Sequence, residues 1–166
     1  MSRVEVVNFG CRLNIAEGEA IRAAVVDADN LVVFNSCAVT AEAERQVRQA
    51  IRRLKRERPD ARIVVTGCAA ETSAAKFAAM DEVERVVGNA DKRAPSAFGL
   101  AETQASTTFL PAVSGADHAR AFIEVQNGCD HDCTFCVTTL ARGPSRSVPA
   151  GAVIDAVKAA VGRGQR

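Results

Sequence analysis

Neither sign of charge predominates in this 166-residue chain. Its 21 basic residues stand against 20 acidic ones, a formal charge of +1, so no global field draws it onto a polyanion. Any nucleic-acid partner must be met by a local patch. Long apolar runs are missing too: no uninterrupted stretch approaches the roughly 18 residues that a membrane span requires. The opening Met-Ser-Arg-Val-Glu lacks the charged and apolar regions of a secretory signal, so the chain is expected to be cytoplasmic. There is no low-complexity tract and no repeat beyond an alternation of strand and helix patterns. Cysteine is used sparingly, at six, and in a reducing compartment such thiols point to metal or redox chemistry rather than to disulfides. The length allows one good core and a piece of a second.

What is present is a βα alternation. Residues 4–9, 31–35 and 63–66 are short, β-branched and almost uncharged, as strands covered on both faces should be. Between the first two, Asn14 with Glu17 three residues on resembles a capping box, and Ile21, Ala24 and Val25 form one apolar stripe. Between the second and third, Thr40 suits an N-cap, and Val47, Ala50, Ile51 and Leu54 keep helical spacing until Pro59. A weaker unit follows, with a helix over 72–80 and a strand over 84–87. Units of this kind imply right-handed crossovers and a parallel sheet layered with helices, an α/β fold. From about residue 94 to 119 the texture of Pro, Ser, Thr, Ala and Gly suits a linker between domains at 1–93 and 120–166. A new strand is expected over 122–125, and Pro149 opens a helix that carries Val153, Ile154, Val157 and Val161 on one face and stops at Gly162.

The cysteines fall into two triads. Cys11, Cys37 and Cys68 each follow one of the first three expected strands, within Phe-Gly-Cys, Asn-Ser-Cys and Thr-Gly-Cys. In an open parallel sheet the carboxyl ends of the strands line the ligand-binding edge, so three thiols far apart in sequence converge, near helix N-termini that favour thiolates. Taken singly, each is as readily a small buried hydrophobe. Cys129, Cys133 and Cys136 have the spacing C-x3-C-x2-C, again after an expected strand. Three such thiolates can hold three irons of a cubane cluster and leave the fourth open. The spacing leaves open a zinc site completed by His131 or His118.

The run Gln126-Asn-Gly-Cys-Asp-His-Asp-Cys-Thr-Phe-Cys136, followed by Arg142-Gly143, resembles the radical S-adenosylmethionine (SAM) enzymes, and within them the methylthiotransferases. The first triad adds to the match. Gly10-Cys-Arg-Leu-Asn14 and Asn35-Ser-Cys-Ala-Val-Thr40 are most similar to the branch acting on threonylcarbamoyladenosine beside the tRNA anticodon, rather than the branches for isopentenyladenosine or a ribosomal-protein aspartate. The resemblance implies a three-layer, flavodoxin-like N-terminal domain followed by the first βα unit of a radical SAM partial barrel. It implies two [4Fe-4S] clusters: an auxiliary one on Cys11, Cys37 and Cys68 that carries the sulfur to be donated, and one on Cys129, Cys133 and Cys136 that binds and reductively cleaves SAM. Phe135 is implied to lie against the SAM adenine, with packing into the neighbouring core as its other reading. The implied partners are tRNA and an electron donor such as a flavodoxin or ferredoxin.

Two departures from the family pattern stand out. Thr139 and Leu140 occupy the places of a proline and an aromatic ahead of Arg142-Gly143, and the chain stops after a single strand and helix of a multi-unit barrel. It is therefore expected to be a fragment without full activity, and a non-catalytic iron–sulfur or tRNA-binding role is the alternative. The cobalamin-dependent radical enzymes are disfavoured, since D-x-H-x-x-G is missing. The basic stretch from Arg45 to Arg62 is read as a solvated helix face, because Glu42, Glu44 and Glu57 lie among its arginines and lysine. Arg142 and Arg146, beside the second triad, are expected near SAM and substrate, or else as caps of a Gly-Pro loop.

Overall fold

Strands that read as continuous apolar runs do so because both their faces are covered. β1 (Glu5–Asn8), β2 (Leu31–Ser36), β3 (Arg62–Gly67) and β4 (Arg85–Val86) form one parallel sheet in the order β1-β2-β3-β4. Every residue of β2 is buried. A computed structural model of the chain describes residues 4–101, 111–114 and 119–165. The linker expected over 94–119 falls partly outside them.

Alternate residues of the strands feed two cores. Leu31, Val33 and Val64 pack with Ile21 of α1 (Arg12–Ala24) and with Val25, its C-cap, on one face. Val32, Phe34, Ile63 and Val65 pack with Val47 and Ile51 of α2 (Ala41–Glu57) and with Phe77 of α4 (Ala74–Ala78) on the other. The fold is thus the expected three-layer α/β arrangement, and each fully buried Val, Ile or Phe contributes about 1.5–3 kcal/mol relative to exposure. The order advances one way from β1 through β2 to β3 while α1 and α2 lie on opposite faces. Their two crossovers therefore have opposite hands, and one departs from the right-handed rule assumed from the pattern.

α2 begins as its sequence indicates, with Thr40 Oγ1 accepting from Ala43 N at 3.1 Å, and ends at Glu57, two residues before Pro59. α1 does not begin at Asn14. Its N-cap is Cys11, which leaves Asn14 and Glu17 inside the helix and buried. The single helix expected over 72–80 is two: α3 (Cys68–Thr72), starting directly from β3, and α4, separated by Ser73 with φ −131° and ψ 32°. The Ser73 hydroxyl donates to Glu44 at 3.1 Å across to α2, which holds the break in place.

A short 3-10 turn, Pro95–Phe98, follows the sheet and buries Phe98 in the α1-side core. Residues 122–125 are extended but hydrogen-bonded on both sides in antiparallel fashion. Ser114 N donates to Phe122 O and Glu124 N to Ala112 O, while Val148 N donates to Val125 O. The regular pairing lies just beyond, between β5 (Gln126–Asn127) and β6 (Arg146–Ser147), with α5 (Thr138–Arg142) between them and α6 (Ala150–Gly162) after. Ile154, Val157 and Val161 of α6 are exposed, uncovered by any described element. Among the described residues no helix is long and apolar enough to cross a membrane.

Candidate functional site

The parallel register decides where the first triad lies. Asn8 pairs with Asn35 and Asn35 with Thr66, while Ser36 pairs with Gly67. Cys37 and Cys68 therefore follow directly on paired ends of adjacent strands, which run about 4.8 Å apart. Cys11 comes in over the top of β1. Gly10, at φ +103°, lies so close to Cys37 that a Cβ there would sit 2.5 Å from the Cys37 Cβ and 2.6 Å from its Sγ. Ser36 ties the next two turns together, its hydroxyl donating to Thr66 O at 2.5 Å and accepting from Ala70 N at 3.1 Å. The structure thus brings Cys11, Cys37 and Cys68 to one edge of the sheet, with Cys37 buried and Cys11 exposed.

The second triad sits on a loop clipped at its base. Cys129 N donates to Gly143 O at 3.1 Å and Ser145 N donates to Asp130 Oδ1 at 2.8 Å. Gly128 has φ +78°, and a Cβ there would lie 2.1 Å from Pro144 O, so no other residue fits. Thr139, one of the two departures from the family pattern, spans the loop: its hydroxyl is 3.2 Å from Cys129 O and 3.0 Å from His131 O, both acceptors. Leu140 is exposed. Cys136 N closes a turn onto Cys133 O at 3.0 Å. Hydrogen bonding with the Thr138 side chain, where Cys136 Sγ lies 3.3 Å from Oγ1, and with its backbone holds the Cys136 thiol below its ordinary pKa. Phe135 is 90% exposed, so the core-packing reading of that ring does not hold.

The donors suit an iron–sulfur cubane. Two sets of three thiols, soft ligands, stand on turns fixed by backbone hydrogen bonds. Two residues before Cys68, the buried Thr66 hydroxyl has no hydrogen-bond partner among the described residues. Among the described residues, no three His, Cys, Asp or Glu side chains gather as ligands of one metal ion do. A cubane asks for a different arrangement, with one thiolate at each of three irons around its rim. The single-zinc arrangement is not formed among these residues: His131 presents its backbone N–H, not its ring, to Cys129 Sγ at 3.5 Å, and His118 lies outside the described residues.

The family described as "Uncharacterized protein family UPF0004" matches residues 3–88, the stretch that holds the sheet and the first triad. The chain belongs to the UPF0004 family. Over 98% of its length it is 44% identical to the threonylcarbamoyladenosine tRNA methylthiotransferase MtaB of Rickettsia prowazekii, covering 41% of that protein. It is 37% identical over 98% of its length to the MtaB of Chlamydia pneumoniae, of which it also covers 41%. Against the tRNA-2-methylthio-N(6)-dimethylallyladenosine synthase of Sphingopyxis alaskensis it is 34% identical over 97% of its length, covering 42% of that relative. The chain therefore spans well under half the length of these curated relatives.

A buried polar network, not anticipated from the sequence, joins the UPF0004 region to the remainder of the chain. At its centre is Glu17, 0% exposed, with Lys92 Nζ 2.7 Å from one carboxylate oxygen and Arg142 Nη1 3.0 Å from the other. Arg93 lies 3.7 Å from Glu17 and pairs with Glu124. Asn127 donates to Glu17 at 3.2 Å and to Glu124 at 2.9 Å. Burial pushes the Glu17 pKa up, but the Lys92 charge and the Arg142 hydrogen bond outweigh it and hold the carboxyl below its ordinary value. For Lys92 burial wins and pushes its pKa down, with Glu17 opposing. Burial also works against Arg142. Hydrogen bonding and charge from Glu17, with smaller contributions from Cys68 and Cys11, more than offset it and hold the guanidinium above its ordinary value.

Arg142 is thus neither a loop cap nor a group facing solvent, and Arg146 reaches back to Arg142 O at 3.5 Å. One signal in the sequence marked this network. Asn14, Glu17, Ile21 and Val25 share one helical face, so an amide and a carboxylate sat in line with an apolar stripe. Most of the basic stretch is matched to carboxylates, in keeping with the solvated-face reading: Arg45 with Glu42, Arg48 with Glu44, Arg52 with Glu82, Arg53 with Glu57, Arg58 with Glu5 and Arg62 with Glu84, while Lys55 donates to Ala61 O and Arg56 is exposed.

Proposed function

We propose that this chain is the N-terminal part of a tRNA methylthiotransferase that attaches methylthio to carbon 2 of N6-threonylcarbamoyladenosine next to the anticodon, by radical SAM chemistry in the cytoplasm. The observation that carries this is the similarity of nearly the whole chain to MtaB of Rickettsia prowazekii, at 44% identity, together with six cysteines in two triads. The higher identity to that relative than to the dimethylallyladenosine synthase, at 34%, favours threonylcarbamoyladenosine over the isopentenyl substrate.

In this reading Cys11, Cys37 and Cys68 hold one [4Fe-4S] cluster, and Cys129, Cys133 and Cys136 hold the other. When bound, the clusters and SAM supply sulfur for transfer and one-electron chemistry at a sulfonium. The chain's own work is placement. The turns after β1, β2 and β3 present three thiolates from one sheet edge, and the Gly128 turn with the Thr139 hydroxyl shapes the loop around the other three. Phe135, exposed beside Cys136, offers a flat face for the SAM adenine. The domains span 1–93 and 120–166 with a connection over 94–119, and the partners are a tRNA and a flavodoxin- or ferredoxin-type donor.

The test is anaerobic reconstitution followed by iron and sulfide analysis. The unaltered chain should bind about eight irons, and alanine at all three positions of either triad should remove about half. Iron unchanged by loss of either triad would defeat the proposal for that triad.

A further inference from the structure

Arg142 lies in sequence next to the second triad, six positions beyond Cys136, yet its guanidinium reaches Asn14 and Glu17 on the helix that follows Cys11. Nη2 donates to Asn14 Oδ1 at 2.8 Å and to Glu17 Oε2 at 3.1 Å, while Nη1 donates to Glu17 Oε1 at 3.0 Å and to Asn127 Oδ1 at 2.9 Å. Asn14 is the piece that matters. The Cys11 thiol lies 3.8 Å from the same Asn14 Oδ1, and the Asn14 amide donates to Phe9 O at 2.7 Å and Ser36 O at 3.0 Å. Those carbonyls belong to the turns that carry Cys11 and Cys37. An Asn side chain can stitch both turns only with its NH2 group turned to their carbonyls, and the Arg142 N–H on its oxygen fixes that orientation. The third turn is reached as well, because α5, which ends in Arg142, packs on α3, which begins with Cys68.

We propose that Arg142 is a positioning residue for the first cysteine triad. Through Asn14 and Glu17 it holds the Cys11 and Cys37 turns in place and sets the two cysteine loops at a fixed distance from each other. This rests on the reading that both triads hold clusters. The guanidinium suits the task because its planar fork meets Asn14, Glu17 and Asn127 at once, whereas an ammonium carries the charge without the fixed geometry.

The experiment places Arg142→Met and Arg142→Lys in two backgrounds of the full 166-residue chain, one with Cys129, Cys133 and Cys136 replaced by alanine and one with Cys11, Cys37 and Cys68 replaced. After reconstitution, iron affinity in the background that keeps the first triad should fall about tenfold or more with Arg142→Met, the usual cost of losing a group that orients a ligand. The background that keeps the second triad should hold its iron. In the metal-free chain, amide exchange over residues 9–15 should quicken about tenfold with Arg142→Met. Arg142→Lys should restore neither reading in full, whereas full rescue by lysine would reduce the role to charge and overturn the positioning claim. Unchanged first-triad iron with unchanged exchange over 9–15 would also overturn it, as would iron loss confined to the second triad.

Should Arg142→Met fail to fold, seen as lost protection of β2 and β3, Asn14→Ser replaces it. That variant removes the stitch but keeps the Arg142 to Glu17 pair, and it must weaken first-triad iron alone or the proposal falls. If the background with Arg142 intact and only the first triad takes up no iron, the cluster reading itself fails, and the exchange measurement still decides whether Arg142 holds the Cys11 turn.

Discussion

Replacing Glu17 by glutamine keeps the size and shape of the side chain and removes its charge. Two cations then stand without their carboxylate at near-zero exposure, since Lys92 lies 2.7 Å and Arg142 3.0 Å from Glu17. Arg93 is spared, because Glu124 remains beside it. At about 3 Å and an effective dielectric near 20, each attraction is worth on the order of 5 kcal/mol before desolvation is counted. The loss does not double. Burial already holds the Lys92 pKa down with Glu17 opposing, so loss of the carboxylate lowers it further, while Arg142 keeps its charge with only the Asn14 and Asn127 amide oxygens beside it. One stranded buried charge costs about 3–5 kcal/mol. Against a typical total of about 5–15 kcal/mol this leaves a marginal fold.

Urea denaturation followed by circular dichroism measures the effect. With a slope of about 2 kcal/mol per molar, the midpoint should fall by about 2 M with the slope unchanged. A loss below about 1 kcal/mol would refute the claim that Glu17 compensates buried cations. The pH dependence gives a second check. The Glu17 pKa is lower in the folded chain than in the unfolded one, so its contribution is complete above the ordinary carboxylate range, near pH 4.5, and is lost as the pH falls through the depressed folded value. The stability gap between the unaltered chain and Glu17→Gln should therefore narrow on acidification from pH 5 towards 2.

Gly10→Ala should drive its methyl into Cys37 and strain a backbone at φ +103°, so iron bound at Cys11, Cys37 and Cys68 should fall severalfold while the other triad keeps its iron, as read in the two alanine backgrounds. Gly128→Ala meets Pro144 O and should show the reverse pattern, losing iron at Cys129, Cys133 and Cys136. Thr40→Ala removes the acceptor for Ala43 N and should cost about 1 kcal/mol in urea denaturation, with iron content unchanged.

The central strands and α2 were legible because their signals are local. The buried runs of β2 and β3 carry no charge between their first and last residues, and Thr40 and Pro59 bracket a clean helical period. The placing of the first three cysteines at one edge of the sheet was legible for a topological reason: equivalent places after parallel strands line the same edge whatever separates them in sequence. What was missed depends on partners far along the chain. Asn14 and Glu17 have the spacing of a capping box, and only Lys92, Asn127 and Arg142, up to 128 positions away, reveal them as a buried junction. The break at Ser73 rests on Glu44 from another helix, and the antiparallel pairing of residues 122–125 rests on strands on either side of them. Apolar residues at helical spacing predicted α6 correctly but could not say that Ile154, Val157 and Val161 would face outward.

The outer face of α2 shows how little a tally of basic side chains says about attraction. Arg45, Arg48, Arg52, Arg53 and Arg58 each already stand beside a carboxylate, which leaves Lys55 and the exposed Arg56 as the cations of this flank without one among the described pairs. A polynucleotide drifting past on that side meets fewer free cations than the count of basic residues suggests, so the salt dependence of its contacts there should be correspondingly shallow.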